Sequence, residues 1–266
     1  MSTFEQTEQL QAPPLRTTRP GSDGEHLVQQ RMRTAERADR FYAEQVLDRL
    51  NPRMREFVAR QEMFFLATAD RHGDCDNTFR AGPPGFLHVL DDGTLAYPEY
   101  RGNGVHASLG NIEENPHVGL LMVDFFRDRV GLHVNGRARV VADDEMRRAH
   151  SGLAVDPVPG RRALVWVEIA VEEAYIHCAK HIPHLEKVPR HGRPGRPWGT
   201  DDVRRKGGDY FGAAAEAPER GVFLPPPRAC ASSWRAEAER VVARAADRSS
   251  GDGAFSGWFS RGPSTR

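Results

Sequence analysis

Between residues 60 and 180 the hydrophobic and polar positions follow the period of strands. Met63–Ala69 is a short apolar run, and the turn residues Arg71-His72-Gly73-Asp74 send Cys75–Arg80 back antiparallel to it. Gly85–Leu90 and Thr94–Tyr97 flank Asp91-Asp92-Gly93, a hairpin signal. His117–Phe125 is nearly continuous apolar sequence, the mark of a strand with little exposure to water. In Gly131–Val141, Leu132, Val134, Gly136, Ala138 and Val140 alternate with His133, Asn135, Arg137 and Arg139, so one face is wet or lines a polar site. Ala163–His177 carries Leu164, Trp166 and Ile169, with Val165, Val167 and Val171 opposite. Apolar residues on both faces call for two covers, and the outer one is expected to be a second subunit or the helices at 25–60.

The helical patterns lie around this β section. Glu25–Leu50 reads as one charged helical stretch with a thin apolar stripe. A second helix is expected over 52–60, with Asn51 as its N-cap and Pro52 in its first turn. A third, about 106–114, stops at Asn115-Pro116, because the residue before proline is pushed out of the helical region. Asp143-Asp144-Glu145 opens a short helix through His150, with acids where the dipole prefers them. About six closely spaced antiparallel strands with a helix in one crossover predict a small barrel. The lack of alternation between strand and long helix argues against a Rossmann sheet.

Composition narrows the class. Lys+Arg equals Asp+Glu at 37 each, so no global field draws nucleic acid or an anionic membrane. No apolar run approaches the roughly 18 residues of a membrane span. The first residues lack the apolar core of a secretory signal, and the scattered Cys75, Cys178 and Cys230 form no disulfide framework; both point to the cytoplasm. Residues 1–23 are rich in Pro, Thr and Gln and are expected to be disordered. The barrel domain with its N-terminal helices is expected over 24–212, with Gly, Pro and Arg-rich loops over 185–230 and a cap at Trp198–Asp202. A low-order extension, with a helix at 232–248, is expected over 213–266.

The chemistry concentrates in 97–108. Arg101, Gly102, Asn103, Gly104, His106 and Ser108 follow one another closely, ahead of a helix whose positive end points back at them. Such a loop suits an anion: glycines admit the ligand to the backbone, and guanidinium and hydroxyl groups hydrogen-bond it. Arg80, ahead of a rigid Pro83-Pro84, offers a fork of donors. Ser108 and Asn111 share one helix face. The segment His177-Cys178-Ala179-Lys180-His181-Ile182-Pro183-His184 tempts a metal reading, but zinc sites draw on separated ligand pairs and the nearby chain offers no second cluster, so no metal is expected. His133 has no identifiable partner in sequence.

These motifs together resemble the pyridoxamine 5'-phosphate oxidase-like family of FMN-binding split barrels, in its uncharacterised flavin-binding branch. The resemblance rests on Phe79-Arg80-Ala81-Gly82-Pro83-Pro84-Gly85-Phe86, Tyr100-Arg101-Gly102-Asn103-Gly104, Ser108-Leu109-Gly110-Asn111-Ile112 with Asn115-Pro116, Gly119–Phe125, and Tyr175-Ile176-His177-Cys178-Ala179-Lys180-His181-Ile182-Pro183. It spans roughly residues 25–212. It implies a six-stranded antiparallel split barrel, mainly β with flanking helices. It further implies an FMN-dependent oxidoreductase, and a homodimer with FMN at the subunit interface. Arg80, Arg101, Asn103, Ser108 and Asn111 would contact the cofactor, and Lys180 would lie near the flavin edge, where a cation stabilises the anionic reduced ring. The true oxidase's basic pair in the crossover helix is replaced here by Ala107-Ser108, which moves the phosphate load to Arg101 and Arg80. Substrate and electron donor stay open. So do two other classes: a haem-binding or haem-degrading split barrel with His177 or His181 as axial ligand, and a flavin-binding protein without catalysis.

Overall fold

The structure, a computed structural model, describes residues 19–100, 102–153, 162–188 and 210–216. The chain divides into two compact units at Val46/Leu47. Arg101, the cap at Trp198–Asp202 and the helix at 232–248 lie outside the described residues, as do Cys230 and most of the N-terminal segment 1–23.

In the first unit the single helix expected over 25–50 is two: α1, Asp23–Arg31, and α2, Ala35–Gln45. Ser22 and Glu25 close a capping box at the start of α1. Arg33, at φ 57°, turns the chain between the helices. Arg19 bridges Asp39 and Gln29, and Gln29 donates to the Tyr42 hydroxyl at 2.6 Å, so polar contacts tie the pair together. A thin apolar stripe leaves no buried residue in either helix.

In the second unit Pro52 starts α3, Pro52–Ala59, and the Asn51 side chain accepts from the Met54 amide, as its sequence predicts. Phe57 and Val58 face inward from this helix and join Leu50 in the main core. The strands are β1 Met63–Ala69, β2 Cys75–Ala81, β3 His88–Val89, β4 Thr94–Glu99, β5 His117–Val123, β6 Gly131–Ala142 and β7 Val165–His177. α4, Ala107–Glu114, connects β4 to β5, α5, Asp143–Ala149, connects β6 to β7, and α6, Ala213–Glu216, is a single turn. All pairings are antiparallel, in the order β2-β1-β5-β6-β7-β4-β3.

The sheet curls on itself. β1 and β4 are separated by three strands in hydrogen-bonding order, yet the rings of Phe64 and Tyr97 lie 5.3 Å apart. The enclosed core includes Phe64, Leu66, Tyr97, Leu120, Val134 and Ile169. This is an antiparallel split barrel with flanking helices, seven strands rather than six. One of them, β3, is marginal: the predicted Gly85–Leu90 strand shrinks to His88–Val89, because the Phe86 amide turns back to the Pro83 carbonyl and Gly85 takes φ 87°.

The double-sided apolar pattern of β7 has a cover inside the chain. Val165, Val167 and Ile169 all face the barrel core, whereas Trp166 faces a second cluster with Ala96, Val141 and Met146. Met146 belongs to α5, and the Trp166 indole donates to Asp143 Oδ1 at 2.7 Å. Neither a partner subunit nor the 25–60 helices are needed there, so the pattern of β7 carries no argument for a dimer. Ile169, expected on the face of Trp166, lies on the other face by strand parity.

Candidate functional site

The barrel closes by side chains where its two sheet ends meet. β2 ends the sheet on one side, and no described backbone pairing joins it to β3 or β4. The inward positions of β2 are polar, Asp76, Thr78 and Arg80, where neighbouring strands present hydrocarbon. Arg80 spans the seam. Its Nε and Nη2 donate to Glu99 Oε2 at 3.2 and 2.8 Å, and its Nη1 donates to Thr78 Oγ1 at 2.7 Å. The Arg80 and Glu99 side chains keep 21% and 12% of their exposure, so the pair is largely but not wholly desolvated. Tyr97, fully buried on the same face of β4 as Glu99, has no hydrogen-bond partner for its hydroxyl among the described residues. Burial, and then the charge of Glu99, push that phenol far above its ordinary pKa, so it stays neutral and able to donate.

From Glu99 the chain crosses to α4 through the Gly-rich loop. Gly102 and Gly104 have φ 53° and 82°, and His106, the N-cap, also takes the left-handed region at φ 53° with no side-chain cap bond. Asn103 Oδ1 accepts from the Val105 amide at 3.0 Å and shapes the loop from within. α4 is then pinned at both ends. Ser108, buried, donates to Asp76 Oδ2 at 3.2 Å, and Asn111 Nδ2 donates to Thr68 Oγ1 at 3.0 Å. At the other end Arg71 forks onto Glu114, whose carboxyl is pulled down to about 2 by that hydrogen bond. The loop therefore runs between the Arg80–Glu99 and Ser108–Asp76 contacts.

Of the six expected contact residues, the structure ties Arg80, Asn103, Ser108 and Asn111 to the seam, the loop and the α4 corner. Lys180 is exposed beyond the end of β7, and no described contact joins it to the other four. Sequence reasoning missed Thr78, Tyr97, Glu99 and Asp76. Period-two parity would have found them, since 76, 78 and 80 share one face of β2, and 97 and 99 one face of β4. It also missed a cavity of about 180 Å³ near the same end of β1, whose lining includes Arg60, Met63, Pro84, Asp124, Phe126 and Lys187. Burial pushes the Asp124 carboxyl up, but amides from Arg127, Phe126 and Asp128 outweigh it and hold the group below its usual range.

A second polar group lies on the outer face of the sheet. His133 on β6 meets His177 on β7, Nε2 to Nδ1, at 2.9 Å, and its ring stacks on Tyr175 at 4.8 Å. Burial, then His177, hold His133 below the usual histidine pKa; burial, then Arg147, do the same for His88. The sign follows from linkage. An unfolded histidine takes its proton near pH 6.5 while the folded one resists, so stability falls as pH drops through about 6.5 toward the folded values and is level above. Urea midpoints between pH 7.5 and 5.5 are expected to fall, and less steeply in His133→Gln. Equal slopes would assign the loss elsewhere. Among the described residues no group of three or more His, Cys, Asp or Glu is placed to hold a metal. No described helix is long and apolar enough to cross a membrane.

A curled antiparallel sheet, a side-chain seam and a Gly-rich crossover into one helix define a split-barrel protein. Residues 50–178, which span the strands of the barrel, match the family model for pyridoxamine 5'-phosphate oxidase. Solved structures of similar shape include HupZ of Group A Streptococcus, at 19% identity over 48% of this chain and 93% of that one, TM-score 0.36. A putative pyridoxamine 5'-phosphate oxidase from Lactobacillus delbrueckii has 22% identity over 48% and 95%, TM-score 0.37. An F420 reductase has 18% identity over 46% and 93%, TM-score 0.31. No curated protein matches the chain.

Proposed function

We propose that the barrel binds FMN at the seam and that the protein is an FMN-dependent oxidoreductase of the cytoplasm, acting as a homodimer. The observation that carries this reading is Arg80. A guanidinium held by Glu99 and Thr78 on an edge strand, beside a buried, neutral phenol, is a preorganised donor group next to a loop built for close backbone approach. Arg80 and Arg101 supply positive charge for the phosphate. Asn103 and the first amides of α4 supply neutral donors. Ser108 and Asn111 act mainly by fixing α4, because their protons go to Asp76 and Thr68. Lys180, exposed just beyond the end of β7, serves the flavin edge. Bound flavin supplies the redox chemistry, taking up a hydride or electrons from a donor; the chain positions and tunes it. A panel of reductants tests the activity: NAD(P)H, reduced deazaflavin or a protein donor should bleach the bound flavin at a catalytically useful rate, and failure of every donor would leave a binding protein only.

The dimer reading is supported by the outer face of β1 and β2. Phe65 and Phe79 pack together at 5.6 Å and are 37% and 53% exposed, and Leu121 follows them in the register. Exposed aromatic pairs of this kind mark association surfaces. Phe79→Arg is expected to leave the barrel folded and to shift its sedimentation from dimer to monomer, with loss of bound flavin. An unchanged dimer would move the interface elsewhere.

One observation favours a second reading. The His177 ring is held at Nδ1 by His133, with no contact at Nε2 among the described residues, the arrangement that steadies an axial imidazole on haem. The absorption spectrum of the purified protein separates haem from flavin.

A further inference from the structure

The chain near His177 offers no second ligand cluster in sequence, and on that ground no metal is expected. The fold supplies a ligand from 44 residues away, on the neighbouring strand. His133 pairs directly with Tyr175 across β6 and β7, which sets His177 diagonal to it on the same outer face. The two ring nitrogens that face each other, His133 Nε2 and His177 Nδ1, are 2.9 Å apart.

We propose that His133 and His177 form a two-histidine chelate for a borderline divalent cation of the Cu²⁺, Ni²⁺ or Zn²⁺ class, with water or a ligand in the remaining positions. A cation about 2.0–2.1 Å from each imidazole nitrogen needs those nitrogens on the order of 2.9–3.4 Å apart, for ligand angles between square and tetrahedral. The pair already stands at the near end of that range, so the strands need not move; the rings turn until both lone pairs aim at the ion instead of at each other. The single hydrogen between the rings moves to the outer nitrogen of the ring that now donates it, and both imidazoles remain neutral ligands.

Three features show that the geometry is held by the fold. Both histidines stand on long paired strands, which position side chains more firmly than loops do. Tyr175 stacks on the His133 ring with an interplanar angle of 18°, fixing its plane. Gly131, opposite His177, leaves the room that His177 uses: a Cβ there would lie 2.8 Å from His177 Cβ and 2.7 Å from the Met122 carbonyl oxygen. Both rings are half-buried, so an ion reaches them from solvent. With two protein ligands the site stays open, and imidazole nitrogen ranks the cations Cu²⁺ over Ni²⁺ and Zn²⁺.

The test uses the full chain, free of any histidine tag and stripped with chelator, titrated with Cu²⁺, Ni²⁺ and Zn²⁺ by calorimetry. One equivalent should bind, tightest for Cu²⁺. His133→Gln and His177→Gln should each weaken it at least about tenfold, and His181→Gln should leave it unchanged. Imidazole nitrogen NMR of the unaltered protein needs no variant: Zn²⁺ should shift His133 Nε2 and His177 Nδ1 first. The proposal is overturned if no equivalent binds, if His133→Gln binds like the parent, or if the loss follows His181. None of these results bears on whether FMN binds at the seam.

Discussion

Gly136→Ala is expected to cost the barrel at least about 3 kcal/mol, a large effect for one methyl group. Gly136 sits where the β6–β7 register shifts, and a Cβ there would overlap the Ala170 carbonyl oxygen and stand 3.0 Å from its carbon. Both atoms are backbone of the neighbouring strand, so neither swings away as a side chain would. The clash falls on the pairing of the two longest strands, which carries the bend of the sheet. Thermal unfolding should show a midpoint lower by about 6–12 °C. Gly110→Ala is the contrast. It lies within α4 with nothing within 4 Å of its would-be Cβ, so the same methyl group should raise stability by about 0.5–1 kcal/mol through helix propensity. Similar shifts for the two variants would mean the close approach at Gly136 is absent in solution.

Arg80→Ala is expected to weaken FMN by about 1.5–3 kcal/mol, roughly ten- to a hundredfold, if the guanidinium contacts the phosphate. It also strips Glu99, at 12% side-chain exposure, of its partner, and that carboxylate then resists burial. The two losses separate in a double variant. Arg80→Ala with Glu99→Gln removes the orphaned charge, so folding stability should recover while flavin affinity stays low. Fluorescence titration reads the affinity and urea unfolding the stability. Recovery of both together would make Arg80 a structural brace for the seam and nothing more. Arg101→Ala is the companion case, with the same loss of affinity expected and little change in folding.

Much of the fold was legible because its strands are marked by period-two alternation and bounded by turn residues. β1, β2, β4, β5, β6 and β7 fall where their patterns place them, and the cap of α3 is the predicted Asn51. What failed was what depends on distant contacts. The break at Arg33 interrupts a continuous helical pattern, and nothing local marks it. The outer cover of β7 proved to be α5, because an apolar face declares its need for a cover without naming it. The candidate site shows the same limit. Loop glycines and Arg80 stand out in sequence, but Glu99 becomes the partner of Arg80 only when the sheet curls, and His133 meets His177 only through strand register.

The cofactor proposed for this barrel is FMN. The direct measurement is mass spectrometry of the ligand released by heat from the purified chain, with reconstitution if none co-purifies. The account predicts FMN, released intact and bound at one per chain. Release of FAD or haem, or no flavin retained after reconstitution of a folded protein, would contradict it.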